Sequence, residues 1–388
     1  MTSRRSERLS RIPPYLFVEI DRRKRAAIAA GRDVIDFGIG DPDRPTPSFV
    51  VDAMAEAIRS PSNHRYASTV GSAAFREAVA GYMRRRFGVT VDPECEVIAL
   101  LGSKEGIGHL PTAVVDPGEI VLVPDPGYPV YTSGAVFAEA RCHIMPLTEA
   151  NGWLPRLGDL PGDVRRDATL MYINYPNNPT SACAPLEFYA DAVAFAREHG
   201  ILVAHDAAYG DLYFDAPPPS ILQIEGAAEV AIEFHSLSKT FNMTGWRVAF
   251  AVGNADALAA LASVKSNLDS GVFQATQHAA CVALGRYDDP AVRSSIAFYR
   301  ARRDQLITGL RSAGWRVDPP AATFYVWAKC PSEYDSMTAA KKILDDADAV
   351  VIPGVGFGAG GEGFVRFALT VDEERTKQAM ERIATIRW

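Results

Sequence analysis

The chain has 388 residues, 48% of them hydrophobic and 22% charged, so it can bury a sizeable core in one large domain or two domains. Its formal net charge of -7 argues against nucleic acid as the main partner, because binding the phosphate backbone needs a concentrated basic surface. Its five cysteines stand singly and no long apolar run occurs. We therefore expect no disulfide framework, no metal site, no membrane partner and a cytoplasmic location.

The N-terminal part of the chain precedes the regular pattern that follows. The stretch "DVIDFGIGDPD" contains one short apolar run and ends in turn residues. We expect residues 1–44 to form an N-terminal arm that packs with a smaller C-terminal domain.

From residue 45 to residue 285, helix-period segments alternate with short apolar runs. Two helices are predicted to close at Gly88 and Gly200. Continuous apolar runs are typical of strands buried on both faces, as in a mostly parallel sheet covered by helices. The pattern predicts a large α/β domain whose strands include "EVIALLG", "EIVLVPDP", "ATLMYINYP", "GILVAHDAAY", "VAIEFHSLSK" and "RVAFAVG".

The pattern changes after residue 285. A long charged helix, "AVRSSIAFYRARRDQLITGLRSAG", is followed by short strands around "FYVWAKC" and "GFVRFALT" and by a final helix. Residues 286–388 are therefore predicted to form a smaller α+β domain.

Polar residues follow the apolar runs where the predicted strands end. Ligands of open α/β sheets bind at the carboxyl ends of the strands, so these residues are candidates for one site. They are Ser103, Lys104, Tyr128, Asn177, Asn178, Asp206, Tyr209, Ser236, Ser238 and Lys239, followed by Arg247.

Each candidate has an ordinary structural explanation when taken alone. Asp206 and the Gly-Ser-Lys turn could cap helices, the tyrosines could pack, and Asn-Asn-Pro is a common turn. Lys239 could be a solvated amine. Together, however, they meet the needs of pyridoxal 5′-phosphate: an amine for its aldehyde, a carboxylate for its ring nitrogen, donors for its phenolic oxygen, an aromatic face and a phosphate cup.

The chemistry assigns a role to each ring contact. Lys239 is predicted to bind the cofactor's aldehyde and, once displaced by substrate, to move the proton at Cα. Asp206 keeps the ring nitrogen protonated, so that the ring can accept electrons. Asn178 and Tyr209 bond to the phenolic oxygen, and Tyr128 stacks on the ring.

The remaining candidates are predicted to hold the phosphate. Backbone N–H groups at Ser103 and Lys104 begin a helix, and helix N-termini bind anions. The hydroxyl groups of Ser236 and Ser238 and the guanidinium of Arg247 complete the predicted cup.

The chain resembles fold-type-I pyridoxal-phosphate aminotransferases of class I and II, and within them the LL-diaminopimelate aminotransferase group. The resemblance covers nearly the whole chain. It lies in "RIPPYLFVEIDRRK", "IDFGIGDPDRPTP", "LGSKEGIGHLP", "VLVPDPGYPVY", "NYPNNPT", "HDAAYGDLYFD", "EFHSLSKTFNMTGWR", "SNLDSGVFQ", "PPAATFYVWA" and "FVRFALT".

The resemblance implies the substrate contacts and the assembly. Arg366 would clamp the substrate α-carboxylate, while Asn178, Tyr15 and Gly40 would approach the substrate. Tyr66 would reach the phosphate of a neighbouring subunit, so that a homodimer completes each site.

Two segments depart from the pattern of the group. Thr69 and Val70 stand where an acidic residue commonly contributes to reading the distal ammonium of diaminopimelate. Ser181 replaces a usual glycine, and we expect this change to affect only the local turn.

The predicted reaction moves an amine from an L-amino acid to a 2-oxo acid, with 2-oxoglutarate and glutamate as one pair. A basic donor such as LL-diaminopimelate fits the resemblance. The same cofactor site also permits a lyase, a decarboxylase or an oxidase acting at Cα. A nicotinamide dehydrogenase is disfavoured because no G-x-G-x-x-G opens a helix after an early strand, and a DNA-binding regulator would need an additional N-terminal segment.

Overall fold

The computed structural model describes residues 4, 6–12, 17–331 and 334–388. The strands are β1 (Ile35–Asp36), β2 (Val97–Leu100), β3 (Ile120–Asp125), β4 (Arg141–Pro146), β5 (Ala168–Asn174), β6 (Leu202–Asp206), β7 (Ala231–Ser236), β8 (Ala249–Gly253), β9 (Tyr325–Lys329), β10 (Ala349–Val350), β11 (Ile352–Pro353) and β12 (Phe364–Ala368). The helices are α1 (Phe17–Ala29), α2 (Ser48–Ala57), α3 (Ala73–Phe87), α4 (Ser103–Val114), α5 (Val130–Phe137), α6 (Gly162–Asp167), α7 (Leu186–His199), α8 (Leu237–Thr240), α9 (Ala255–Leu268), α10 (Gln274–Gly285), α11 (Pro290–Ser312), α12 (Ser336–Ala347) and α13 (Glu373–Ile383).

A seven-stranded sheet in the order β2-β8-β7-β6-β5-β3-β4 forms the centre of the molecule. Strands β4, β3, β5, β6 and β7 pair in parallel, and β8 pairs antiparallel with both β7 and β2. Every residue of β7 and β8 is buried, as expected for apolar strands covered on both faces. The predicted mostly parallel α/β architecture is confirmed.

The helices begin and end at the signals present in the sequence. Ser72 caps α3 by accepting the Phe75 N–H, and α3 ends at Gly88, whose φ is 71°. Helix α7 ends in the same way at Gly200, with φ of 68°. A left-handed residue after the last turn satisfies the free carbonyl groups and stops the helix.

The C-terminal part forms a smaller antiparallel sheet in the order β11-β12-β9. Strand β1 pairs in parallel with β10, and Phe37 shares a buried cluster with Phe367 and Leu310. The N-terminal segment therefore packs against the C-terminal part of the chain. The domain boundaries at residues 44/45 and 285/286 remain predictions.

In the portion of the chain that the structure describes, no helix is long and apolar enough to cross a bilayer.

Candidate active site

One cavity of about 520 Å³ lies where the carboxyl ends of the central strands meet the N-terminal and C-terminal segments. Such a volume suits a small-molecule site. Most of the predicted site residues line this cavity: Gly40, Ser103, Lys104, Tyr128, Asn178, Asp206, Tyr209, Ser236, Ser238, Lys239, Arg247 and Arg366. Segments far apart in the sequence thus form a single pocket.

Lys239 enters the cavity from the short helix α8, directly after the buried strand β7. Its Nζ donates to the carbonyl oxygen of Gly40 at 3.1 Å. Lys24, which also lines the cavity, is instead paired with Asp36 and Asp21, at 2.9 and 3.3 Å. Lys239 is therefore held by a neutral backbone acceptor, whereas Lys24 is held by carboxylates.

Asp206 is the last residue of β6 and is 5% exposed. Its Oδ2 accepts the Tyr131 hydroxyl at 2.8 Å, and its Oδ1 accepts the Ala208 N–H at 3.2 Å. Burial raises the pKa of Asp206 above its ordinary value, although these two donors oppose the rise. A buried carboxylate of this kind gains from a positively charged partner in the cavity.

The asparagine turn after β5 connects several groups around Asp206. Asn174 donates through Nδ2 to the Asp206 carbonyl oxygen at 2.7 Å, and its Oδ1 accepts the Asn178 N–H at 2.8 Å. Asn177 is fully buried and holds the turn by accepting the N–H and hydroxyl of Thr180. The amide of Asn178, rather than that of Asn177, therefore lines the cavity.

Arg366 projects from β12 and is only 4% exposed. It donates to Asn178 Oδ1 at 2.7 Å and to the Gly38 carbonyl oxygen at 3.2 Å, while its buried Nε lacks a partner. The guanidinium lies 4.1 Å from the Tyr325 ring centroid. Within the described residues it has no carboxylate partner, so its charge is available to an anionic ligand.

Two hydroxyl groups face each other next to Arg366, whose guanidinium lies over the Tyr325 ring. Tyr209 and Tyr325 bond through their hydroxyl oxygens at 3.1 Å. Burial, together with Tyr325, raises the pKa of Tyr209 well above its ordinary value. Tyr209 is therefore a neutral hydrogen-bond donor at physiological pH.

The start of α4 and the residues after β7 form a cup for an anion. Arg247 donates to the Thr244 and Leu101 carbonyl oxygens at 2.9 and 3.2 Å and forms no ion pair with the part of the chain that the structure describes. The N–H groups at the N-terminus of α4 and the side chains of Ser236 and Ser238 face the same cavity. A phosphate fits this combination of one cation, hydroxyl groups and a helix start.

Tyr128 lines the cavity beside Lys104, whose Nζ lies 5.8 Å from the ring centroid. Tyr66 does not line the cavity and is 89% exposed. Tyr15 lies outside the described residues.

Sequence reasoning missed Tyr131, Asn174 and Tyr325, all of which contact predicted site residues. Asn174 could have been found because it ends a strand, as Asp206 does. Tyr131 and Tyr325 carry no such signal, since only the tertiary fold brings them into contact with Asp206 and Tyr209. Ser181 was expected to affect only its turn, but its hydroxyl also bonds to the Tyr325 carbonyl oxygen at 2.9 Å.

Comparison with known proteins shows the family of the chain. Residues 32–383 match the family described as Aminotransferase class I and II. The chain belongs to this family. It is 52% identical over 379 residues to LL-diaminopimelate aminotransferase of Desulforudis audaxviator, covering 97% of this chain and 96% of that protein. It is 49% identical over 383 residues to the enzyme of the same name from Moorella thermoacetica, covering 98% of both.

The fold matches solved structures at similar coverage. A substrate-bound BacF structure from Bacillus subtilis is 38% identical, with a TM-score of 0.94 over 99% of this chain and 98% of that chain. A double mutant of Thermus thermophilus aspartate aminotransferase is 29% identical, with a TM-score of 0.91 over 99% of both chains. The enzyme is thus an aminotransferase of fold type I, and its cofactor is pyridoxal 5′-phosphate.

The pocket fits this cofactor. Lys239 would bind its aldehyde, Asp206 would face its ring nitrogen, and the cup at α4 and Arg247 would hold its phosphate. Two observations support this fit: Arg247 has no ion pair within the described residues, and burial raises the pKa of the Asp206 carboxylate. Arg247 would gain the phosphate as a partner of opposite charge, and Asp206 would gain the protonated ring nitrogen.

Gly102 lies against the Arg247 guanidinium, where a larger residue would not fit. It has φ of 85°, and a Cβ placed on it would lie 2.2 Å from Arg247 Nη2. Gly102→Ala should therefore displace the arginine and strain the start of α4, raising the cofactor's dissociation constant about tenfold, since a residue other than glycine costs about 1–3 kcal/mol in a backbone conformation with φ of 85° and ψ of 147°. Cofactor titration followed by absorbance measures the change.

Gly108→Ala is the matched control on the same helix. A Cβ there meets only Val130 at an ordinary 3.4 Å. This variant should bind the cofactor as the native enzyme does. Equal affinities for Gly102→Ala and Gly108→Ala would remove Arg247 from the phosphate cup.

Proposed function

We propose that the enzyme transfers an amino group from LL-diaminopimelate to a 2-oxo acid, with 2-oxoglutarate as an acceptor. The observation that carries the choice of donor is the near-full-length identity of about 50% to several LL-diaminopimelate aminotransferases. The charges of the cavity support the same choice.

Arg366 is proposed to bind the α-carboxylate at the reacting end of the donor. Its planar fork suits bidentate binding of a carboxylate, and its buried charge, which has no carboxylate partner among the described residues, favours an anion. The bond from Arg366 to Asn178 would orient both side chains before substrate arrives.

The distal end of the donor is proposed to meet the part of the cavity that the N-terminal segment forms. Lys24, Asp21, Asp36 and Asp41 line this part. LL-diaminopimelate carries both an ammonium and a carboxylate at its distal end, so a site with both signs of charge can pair with each. In this proposal the three aspartates bind the distal ammonium, a role that Thr69 and Val70 cannot fill because they carry no carboxylate. The excess of acids also disfavours dicarboxylic donors such as aspartate.

When bound, pyridoxal 5′-phosphate supplies an electron sink for the chemistry at Cα. In our proposal, Lys239 accepts and returns the Cα proton from its position at the Gly40 carbonyl. Asp206 holds a positive charge at the ring nitrogen, and Tyr209 donates to the phenolic oxygen. Burial of both side chains keeps water from competing for these bonds.

A panel of donors tests the substrate assignment, with 2-oxoglutarate as acceptor and glutamate formation as the readout. LL-diaminopimelate should give a kcat/KM at least about tenfold above lysine, aspartate and 2-aminopimelate, because each of these lacks a distal group that the cavity pairs. Asp36→Asn should reduce the ratio of kcat/KM for LL-diaminopimelate to kcat/KM for 2-aminopimelate, which has the same skeleton without the distal amine.

Asp191→Asn, a substitution at an exposed position of α7, is the matched control. It should leave the ratio of kcat/KM for LL-diaminopimelate to kcat/KM for 2-aminopimelate unchanged. A clear preference for aspartate or an aromatic donor would contradict the assignment. Release of ammonia or CO₂ without an acceptor would contradict amino transfer itself.

We also propose that the enzyme is a homodimer with shared sites. Tyr66 is 89% exposed, and Leu268 and Phe273 are 62% and 40% exposed. The two segments touch, because Gln274 donates to the carbonyl oxygens of Arg65 and Tyr66. An exposed apolar patch of this kind is typical of an interface, and Tyr66 would reach the partner's phosphate from it.

Mixed dimers test this assembly. Lys239→Ala and Tyr66→Ala should each lose most activity as homodimers, but a mixed dimer would contain one intact site. Co-expression should therefore recover about a quarter of native activity, since half of randomly paired dimers are mixed and each has one working site. Activity no greater than the mean of the two homodimers would contradict a shared site.

The compartment is proposed to be the cytoplasm. All five cysteines are free thiols, and a reducing compartment suits unpaired cysteines.

A further inference from the structure

Tyr325 lies between the two groups of residues that the cavity brings together. It lines the cavity from β9 and is buried. Its hydroxyl oxygen lies 3.1 Å from the Tyr209 hydroxyl oxygen, and the Arg366 guanidinium lies 4.1 Å from the centroid of its ring. One side chain therefore contacts both the residue proposed for the cofactor's phenolic oxygen and the residue proposed for the substrate carboxylate.

The hydroxyl group of Tyr325 is packed against Gly40. A Cβ placed on Gly40 would lie 2.2 Å from the Tyr325 hydroxyl oxygen, so only glycine leaves room for this oxygen. The Gly40 carbonyl oxygen in turn accepts Lys239 Nζ at 3.1 Å. The Tyr325 hydroxyl is thus confined to a position beside Tyr209 and next to the residue that holds Lys239.

Two buried hydroxyl groups hold the backbone of Tyr325. Ser181 donates to the Tyr325 carbonyl oxygen at 2.9 Å, and the Tyr325 N–H donates to Thr323 Oγ1 at 3.0 Å. Ser181 uses its one hydrogen in this way, so Thr323 donates to Ser181 Oγ, 2.7 Å away. Ser181 and Thr323 both have left-handed φ, 61° and 67°. Backbone strain of this kind persists only where the surrounding contacts fix it, and here those contacts fix Tyr325.

The hydrogen bond between the two tyrosines has a direction. A tyrosine hydroxyl has one hydrogen to donate, while its oxygen can also accept. Within the described residues, the hydroxyl groups of Tyr209 and Tyr325 bond to each other. In the role proposed for Tyr209, its hydrogen points to the phenolic oxygen of the cofactor. The bond between the tyrosines then forms only if Tyr325 is the donor.

We propose that Tyr325 is a positioning residue that acts through Tyr209: its hydroxyl donates to Tyr209 and thereby strengthens the donation from Tyr209 to the phenolic oxygen. Successive hydrogen bonds polarise one another, and in a buried site each bond is stronger than in water. Tyr209 and Tyr325 are 6% and 3% exposed, so both bonds lie in such a site. The inference rests on the role proposed for Tyr209 and not on the identity of the amino donor.

The charged groups near the pair are compatible with this role. Burial, and then Tyr325, raise the pKa of Tyr209 well above its ordinary value; Asp206 adds to the rise and Arg366 opposes it. Tyr209 therefore keeps its hydrogen. Tyr325→Phe removes one hydroxyl group and no charge, and it leaves a ring beneath the Arg366 guanidinium.

The absorbance of the bound cofactor tests the inference without any substrate. A donor to the phenolic oxygen favours its ionised form, so a weaker donor should move the midpoint of the cofactor's pH-dependent absorbance change to higher pH. Tyr325→Phe should raise this midpoint by about 0.5 unit. An unchanged midpoint would overturn the inference.

Tyr175→Phe is the matched control. Tyr175 is also buried and donates its hydroxyl to the Trp153 carbonyl oxygen at 2.7 Å, but it does not line the cavity. The substitution removes the same group from another part of the protein, so it should leave the midpoint unchanged. A midpoint raised equally in Tyr175→Phe and Tyr325→Phe would overturn the inference.

A double variant shows whether Tyr325 acts through Tyr209. Tyr209→Phe should raise the midpoint at least as far as Tyr325→Phe does. Adding Tyr325→Phe to Tyr209→Phe should then change the midpoint by less than about 0.2 unit, because the residue through which Tyr325 acts has lost its hydroxyl. Fully additive shifts would overturn the inference.

A cofactor analogue separates this role from structural damage. An analogue with hydrogen in place of the phenolic hydroxyl has no oxygen to accept the hydrogen of Tyr209. The ratio of the dissociation constant of the analogue to that of pyridoxal 5′-phosphate should be about threefold lower in Tyr325→Phe than in the native enzyme. Structural damage would weaken the binding of both compounds equally, and an unchanged ratio would overturn the inference. A failed donor panel would leave all of these measurements unaffected.

Discussion

The register of β6 between β5 and β7 is the constraint on which the site depends. In this register Asn174 pairs with Asp206, and the carboxyl ends of all three parallel strands meet at one edge of the sheet. Since successive side chains point to opposite faces, Asp206 faces Tyr131 while His205 faces Glu233. A slip of one residue would exchange the two faces, placing the Asp206 carboxylate beside Glu233 and the His205 imidazole beside Tyr131.

Local patterns in the sequence predicted the central sheet, the helix ends and most of the pocket. The reason is physical: a parallel sheet collects its strand ends at one edge, so polar residues such as Asp206 and Lys239 that follow apolar runs must converge. The helix ends at Gly88 and Gly200 could also be predicted from the sequence, because a glycine after the last helical turn is itself the local signal that stops a helix. Arg366 came from family resemblance, because nothing in its strand distinguishes it from a surface arginine.

Other contacts could not be predicted because they depend on tertiary packing. Tyr131 lies within α5 and Tyr325 within β9, and neither shows in the sequence that it meets Asp206 or Tyr209. Ser181 looked like a change confined to a turn, yet its left-handed φ of 61° directs the hydroxyl to the strand that carries Tyr325. The buried contact between His205 and Glu233 could not be predicted either, since side chains on neighbouring strands meet only through the register of the sheet. The roles of the site residues, including Tyr66 and Tyr15, and the domain boundaries remain predictions.

Three lysines of the described residues line the cavity, namely Lys24, Lys104 and Lys239, and we propose that Lys239 binds the cofactor's aldehyde. Borohydride reduction of the loaded enzyme, followed by digestion and peptide mass spectrometry, tests it most directly. We expect the peptide that contains Lys239 to be heavier by the mass of one reduced cofactor, and the peptides that contain Lys24 or Lys104 to have their unmodified masses. A cofactor fixed to Lys24 or Lys104, with Lys239 unmodified, would contradict it.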